Sequence, residues 1–107
     1  MNGIELIAFQ IISNVGMAKT KFIEALEHAK KGNFEAAAES VKEGNTFLVE
    51  GHNVHRELIQ KEASGEKTEF SILLMHAEDQ FMSAETIKLL IGEMIEMRRE
   101  YSQPGCQ

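Results

Sequence analysis

A chain of 107 residues, 43% hydrophobic and 26% charged, has the balance of one globular domain rather than a disordered protein. Its net charge of −6 argues against nucleic-acid binding, which needs clustered Lys and Arg, and suits a soluble protein that meets a basic partner surface. The single cysteine, Cys106, excludes a disulfide framework and a Cys-rich metal site, and fits a reducing cytoplasm.

The opening tract Ile4-Glu5-Leu6-Ile7-Ala8-Phe9 with Ile11-Ile12 is broken by Glu5, Gln10 and Asn14. It has no basic run before it and no cleavage pattern after it. No segment approaches 18 unbroken apolar residues. No secretion signal and no membrane span are expected, and the cytoplasm is the expected compartment.

The first helical pattern is Ile4, Ile7, Ile11, Val15, Ala18, Phe22, Ala25, Ala29, whose steps of three and four share one face. Lys30-Lys31-Gly32 ends it, with cations for the dipole and a glycine for the left-handed cap. Asn33 caps the second pattern, which runs Phe34, Ala38, Val41, Asn45, Leu48, His52, His55, Ile59 and ends at Ala63-Ser64-Gly65. Thr68 is the N-cap read for the third. With Pro104 the only proline, nothing interrupts a helix before the tail. The expected fold is all-α: a single domain over 1–107 with three long antiparallel helices, up-down-up, at about 3–31, 33–63 and 69–101. A flexible tail follows over 102–107. Each helix is close to thirty residues, about 45 Å.

The third helix carries two apolar seams. Leu74, Ala77, Phe81, Ala84, Ile91 and Ile95 make an intramolecular core; Ile72, Ile87, Leu90, Met94 and Met97 lie displaced around the helix. A helix that is apolar most of the way round needs cover most of the way round, more than three helices provide. Association of several copies through this helix, with cyclic symmetry, is the simplest solution.

His76, Asp79, Gln80 and Ser83 interrupt the second seam within about 100° of one face. A carboxylate there needs solvent, a cation or a shifted pKa. A histidine on such a face is either a hydrogen-bonded structural residue or a reactive one, and Asp79 at i+3 can orient or charge it. His52 and His55 also fall on an apolar stripe, lining the same cleft or marking a solvated edge. His28 reads as a surface residue near a helix end.

There is no His-Glu-x-x-His and no Cys/His zinc spacing. One Asp per chain is too few ligands for a metal, but threefold symmetry would present Asp79 three times, a set that suits a hard cation such as Mg²⁺. Without a cation, three carboxylates repel and titrate together. Glu93, Glu96 and Glu100 read as a solvated face partly paired with Arg98 and Arg99. Met75, Met82, Met94 and Met97 read as packing residues, with a share free for a partner face. No Ser-His-Asp triad, phosphate-cradling Gly-rich loop or dinucleotide fingerprint is present.

At Leu73-Leu74-Met75-His76-Ala77-Glu78-Asp79-Gln80-Phe81-Met82 the chain resembles the phosphorylation segment of the lactose/cellobiose-type enzyme IIA family. These are components of the bacterial phosphoenolpyruvate-dependent sugar phosphotransferase system. The family pattern there is roughly apolar-apolar-x-His-Ala/Gly-Gln-Asp-His-Leu-Met. The resemblance continues through Ile7-Ala8-Phe9-Gln10-Ile11-Ile12, Lys19-Thr20-Lys21-Phe22-Ile23-Glu24-Ala25-Leu26, Lys31-Gly32-Asn33-Phe34-Glu35-Ala36-Ala37, His52 and Ala63-Ser64-Gly65-Glu66. Two departures stand out. Glu78 replaces the family's Gln, adding a negative charge beside the acceptor, and Gln80 replaces its His, removing a donor.

The resemblance implies a homotrimer whose nine helices form one bundle. It implies a phosphocarrier in which His76 accepts a phosphoryl group from HPr and passes it to the IIB component, with the membrane IIC component met only indirectly. It implies that three copies of Asp79 hold a structural Mg²⁺ or similar divalent cation at the trimer axis. The sugar would be a β-linked disaccharide such as lactose, cellobiose or chitobiose. Imidazole titrates near pH 6.5, so a neutral nucleophile is available near neutrality. His52 is a candidate hydrogen-bond donor to the phosphoryl oxygens. Two other readings share the residues: a non-catalytic helical oligomerisation module with His76 and Asp79 as a register device, or a histidine phosphotransfer domain of a two-component relay. The relay domain usually has four helices and a Lys soon after the His, whereas the next Lys here is Lys88.

Overall fold

Runs of Ala, Glu, Lys and Leu without proline build three helices: α1 (Gly3–Lys30), α2 (Phe34–Ala63) and α3 (Ile72–Ser102). The computed structural model describes residues 3–69 and 71–102. No strand occurs among them, and the molecule is a rod of 58 × 23 × 19 Å. No helix of the described residues is long and apolar enough to cross a membrane.

The turns follow from two glycines. Gly32 has φ 81°, and Asn33 N–H donates to His28 O at 2.9 Å, closing α1 in the left-handed manner that glycine permits. The Asn33 side chain then accepts from Ala36 N–H at 3.1 Å and starts α2. Gly65, with φ 96°, closes α2 in the same way. The start of α3 departs from expectation. Thr68 lies in the loop, and it is the Ser71 hydroxyl that accepts from Leu74 N–H at 3.0 Å. The helix therefore begins at Ile72 rather than near 69. At the other end Ser102 still belongs to α3, while the rest of the expected tail, with Pro104 and Cys106, lies outside the described residues.

α1 is the central helix. It packs along both α2 and α3, which touch each other far less and leave a cleft between them. Ile11, Val15 and Phe22 are its fully buried large side chains. The expected α3 core seam is buried at every position, Leu74, Ala77, Phe81, Ala84, Ile91 and Ile95. α2 corrects its expected stripe: Ala38, His52 and Ile59 are exposed, and Ala37, Ser40, Gly44, Gly51 and Leu58 are buried instead. The reason is proximity. α1 and α2 approach so closely that a Cβ on Gly44 would lie 2.6 Å from the Phe22 ring. Small residues, which carry little apolar signal, mark the buried face. Gly44→Ala should lower stability by about 1–3 kcal/mol in urea unfolding, because overpacking against an immobile ring outweighs alanine's helix preference.

Lys21 ties α1 to α2 by reaching Glu43 at 3.1 Å, with Glu24 at 3.4 Å. The hydrogen bond that Lys21 donates to Glu43, then the charge of Glu24, raise its pKa above the ordinary lysine value. The part of this pairing carried by the raised Lys21 pKa is present through neutral pH and is lost as pH rises through the lysine range.

Candidate functional site

The Ser71 cap starts α3, and the burial of its core seam sets the rotation of the helix. With Leu74, Ala77 and Phe81 turned inward, His76 and Asp79 are turned outward, and both are exposed in the single chain. At about 100° per residue, Asp79 sits about 60° around α3 from His76. The stripe around them is apolar: Ile72 is 80% exposed, Met82 58%, Leu90 50% and Met97 64%. The second seam is thus uncovered along almost all of α3, except for Ile87, which packs against the core edge. Met75, Met82, Met94 and Met97, read from sequence as packing residues, are all exposed here.

Each edge of this face is fixed by a side chain from another helix. On the α1 edge, Lys19 Nζ donates to Gln80 Oε1 at 2.5 Å, partly buried. Gln80 is one turn beyond His76 and about 40° around α3 from it. On the α2 edge, His55 Nε2 lies 3.3 Å from Glu78 Oε1. Glu78 therefore does not sit beside His76: two residues on, it is turned about 160° away, toward α2.

The α2 histidines gather on Phe81. The His55 ring stacks at 5.2 Å between centroids and His52 at 5.9 Å, with interplanar angles of 27° and 29°. Phe81 is about 140° around α3 from His76. Within one chain both histidines pack on Phe81, on a side of α3 turned away from His76, and His52 lines the cleft there. Asn45 and Lys88 line it too, and Asn45 Oδ1 is buried with no hydrogen-bond partner among the described residues.

The acidic end of α3 is a solvated face as read: Glu93, Glu96 and Glu100 are exposed, and Arg99 pairs with Glu96 at 3.1 Å. Arg98 instead donates to Lys30 O at 3.2 Å, and Arg99 also lies over the Phe34 ring, 5.3 Å from its centroid. Among the described residues, no group of three or more His, Cys, Asp or Glu within one chain is placed to hold a metal. Two contacts at this site are not legible from sequence, Lys19–Gln80 and His55–Glu78. Their partners are 61 and 23 residues apart, so they depend on how the helices are set against each other.

One face thus combines an exposed imidazole, a carboxylate one turn on and a cation at its edge. Residues 6–99 match the family model described as PTS system, Lactose/Cellobiose specific IIA subunit. The lichenan-specific phosphotransferase enzyme IIA component of Bacillus subtilis is 38% identical over 99 residues, 92% of this chain and 90% of that protein. The crystal structure of the PTS cellobiose-specific enzyme IIA from Bacillus anthracis superimposes with a TM-score of 0.94 at 42% identity, covering 98% of this chain and 96% of that one. The chitobiose IIA of Escherichia coli, solved in solution in complex with HPr, gives 0.81 at 29% identity, covering 96% and 100%.

Proposed function

The chain belongs to the lactose/cellobiose-specific IIA family of the sugar phosphotransferase system, and on that premise we propose that it is a cytoplasmic phosphocarrier working through His76. The observation that carries the reading is the exposed His76 on the outward face of α3, with Asp79 one turn on, inside the span matched by the family. One ring nitrogen of His76 attacks phosphorus on phospho-HPr. A nitrogen–phosphorus bond forms as the bond to the donor breaks, and its electron pair leaves with the donor. The reverse step then hands the same group to the IIB component. Nothing is consumed on this chain, so catalysis is in-line positioning and charge stabilisation. An exposed acceptor suits a protein that meets two partners in turn, and the HPr complex of the E. coli relative supports the donor. The relatives named for lichenan and cellobiose support a β-linked sugar, with the IIC component met only through IIB.

Copies of the chain meet through the outward stripe of α3 as a homotrimer, a bundle of nine helices. The support is physical: an apolar stripe along a 31-residue helix is not left to water. A threefold arrangement with Asp79 toward the axis turns the His76 edge of α3 to one neighbour, and the α2–α3 cleft to the other. His76 then looks into the next copy's cleft. The role of His52 as a donor to phosphoryl oxygens accordingly belongs to the neighbouring subunit. The His55–Glu78 pair lies closer to the level of His76, about 3 Å along α3 against about 7.5 Å for Phe81 and His52.

Three Asp79 carboxylates around that axis fit a divalent cation such as Mg²⁺, since each is exposed and no single chain assembles a site among its described residues. When bound, the cation neutralises charge that would otherwise drive the copies apart. Chelation should lower the melting midpoint of the oligomer by about 5 °C or more. Asp79→Asn should melt at the same temperature with and without chelator.

The carrier reading is tested by incubating the protein with enzyme I, HPr and labelled phosphoenolpyruvate, then adding IIB. HPr-dependent labelling followed by loss of label to IIB is the expected result. A healthy oligomer that takes up no label overturns it and favours the oligomerisation module.

A further inference from the structure

The chemistry described so far leaves a charge unanswered. A phosphoryl group on His76 brings about two negative charges to a face that already holds the exposed Asp79. Phosphoryl transfer is carried largely by cations that meet the equatorial oxygens as the group moves. The sequence offers no cation within the turn: between Ile72 and Thr86 there is neither Lys nor Arg.

The fold supplies one from elsewhere. Lys19, on the face of α1 beside α3, is half-buried and crosses to Gln80 Oε1 at 2.5 Å. Gln80 and His76 are i and i+4 partners, neighbours on the helix surface about 6 Å apart at Cβ. An ammonium has three donors. One is spent on Gln80, which leaves two to point along the same edge of α3. The partly buried stem keeps the charge from drifting into solvent, where it would be screened. The amide of Gln80 is neutral, so it anchors the ammonium without cancelling its charge, as a carboxylate there would.

We propose that Lys19 is a catalytic residue of the phosphotransfer, binding the phosphoryl oxygens on His76, and that Gln80 is its positioning residue. The assignment rests on the phosphocarrier reading above. In the step already written, the ammonium keeps all three protons and shifts from water to phosphoryl oxygen as the new nitrogen–phosphorus bond forms. Gln80, a departure from the family pattern, here acts by holding a cation through its amide oxygen.

The test is single-turnover transfer from phospho-HPr to the full-length protein over a range of phospho-HPr concentrations. The parent is compared with Lys19→Met, Lys19→Arg and Gln80→Met, with helix content and oligomer mass checked for each. Lys19→Met should slow the saturated rate about 10- to 100-fold with the half-saturating concentration little changed. Lys19→Arg should restore most of the rate. Gln80→Met, which keeps the ammonium but removes its anchor, should slow transfer several-fold and decides the matter if Lys19→Met does not fold. A saturated rate in Lys19→Met within twofold of the parent overturns the assignment. So does a loss confined to the half-saturating concentration, which would make Lys19 a docking residue. A parent that accepts no phosphoryl group sinks the carrier reading as a whole, whereas a labelled parent with an equally fast Lys19→Met sinks only this assignment.

Discussion

His76→Ala is expected to reduce phosphoryl uptake from phospho-HPr to background while leaving the three-helix protomer intact. The two halves of that expectation come from the same fact. His76 is exposed on α3, on the side away from the core seam of Leu74, Ala77 and Phe81. Removing its ring empties no cavity, and alanine is a better helix former, so stability should move by no more than about 0.5 kcal/mol. Removing the acceptor, however, leaves no nucleophile on that face. Asp79 and Ser83 are neighbours on the helix, but neither is an uncharged nitrogen base. The same chain's His52 and His55 stack on Phe81, on another side of α3, and do not substitute. Circular dichroism together with a labelling time course separates the two halves. Residual label above a tenth of the parent level would mean that another residue accepts the group.

Phe22→Ala should cost about 3–5 kcal/mol, the largest stability loss expected from a single truncation in this chain. Phe22 is wholly buried on the helix that both others pack against. Its ring lies across the face that Gly44 leaves open, so alanine would leave a void that the α1–α2 contact cannot close without moving a whole helix. For a urea dependence of about 2 kcal/mol per molar, the midpoint should fall by about 2 M, read at fixed protein concentration because assembly adds to the stability of the fold. A midpoint within 0.5 M of the parent's would mean that the α1–α2 interface relaxes around the loss.

The parts of the molecule legible from sequence are those where large apolar residues carry the pattern. Ile11, Val15, Ala18 and Phe22 on α1, and Leu74 through Ile95 on α3, fall where the spacing puts them. The doubled seam of α3 likewise reads correctly as a core face plus a second, uncovered face. α2 misleads because its buried positions include Ala37, Ser40, Gly44 and Gly51, chosen by closeness rather than hydrophobicity. The start of α3 shifts because Ser71 and Thr68 are equally good caps on paper, and only packing selects between them. That His76 and Asp79 share one exposed face is legible from sequence because i and i+3 residues lie together on a helix whatever the tertiary structure. The Lys19–Gln80 and His55–Glu78 contacts are not legible there, since each depends on the relative placement of two helices that no local pattern encodes.

The most direct test of the phosphocarrier account is the ³¹P NMR spectrum of the protein after incubation with catalytic enzyme I and HPr and excess phosphoenolpyruvate. The account predicts a phosphoramidate resonance approaching one per chain, lost on brief acidification and on addition of the IIB component, and absent from His76→Ala. A spectrum with no phosphoramidate signal, or one with an acid-stable phosphoester, would contradict it.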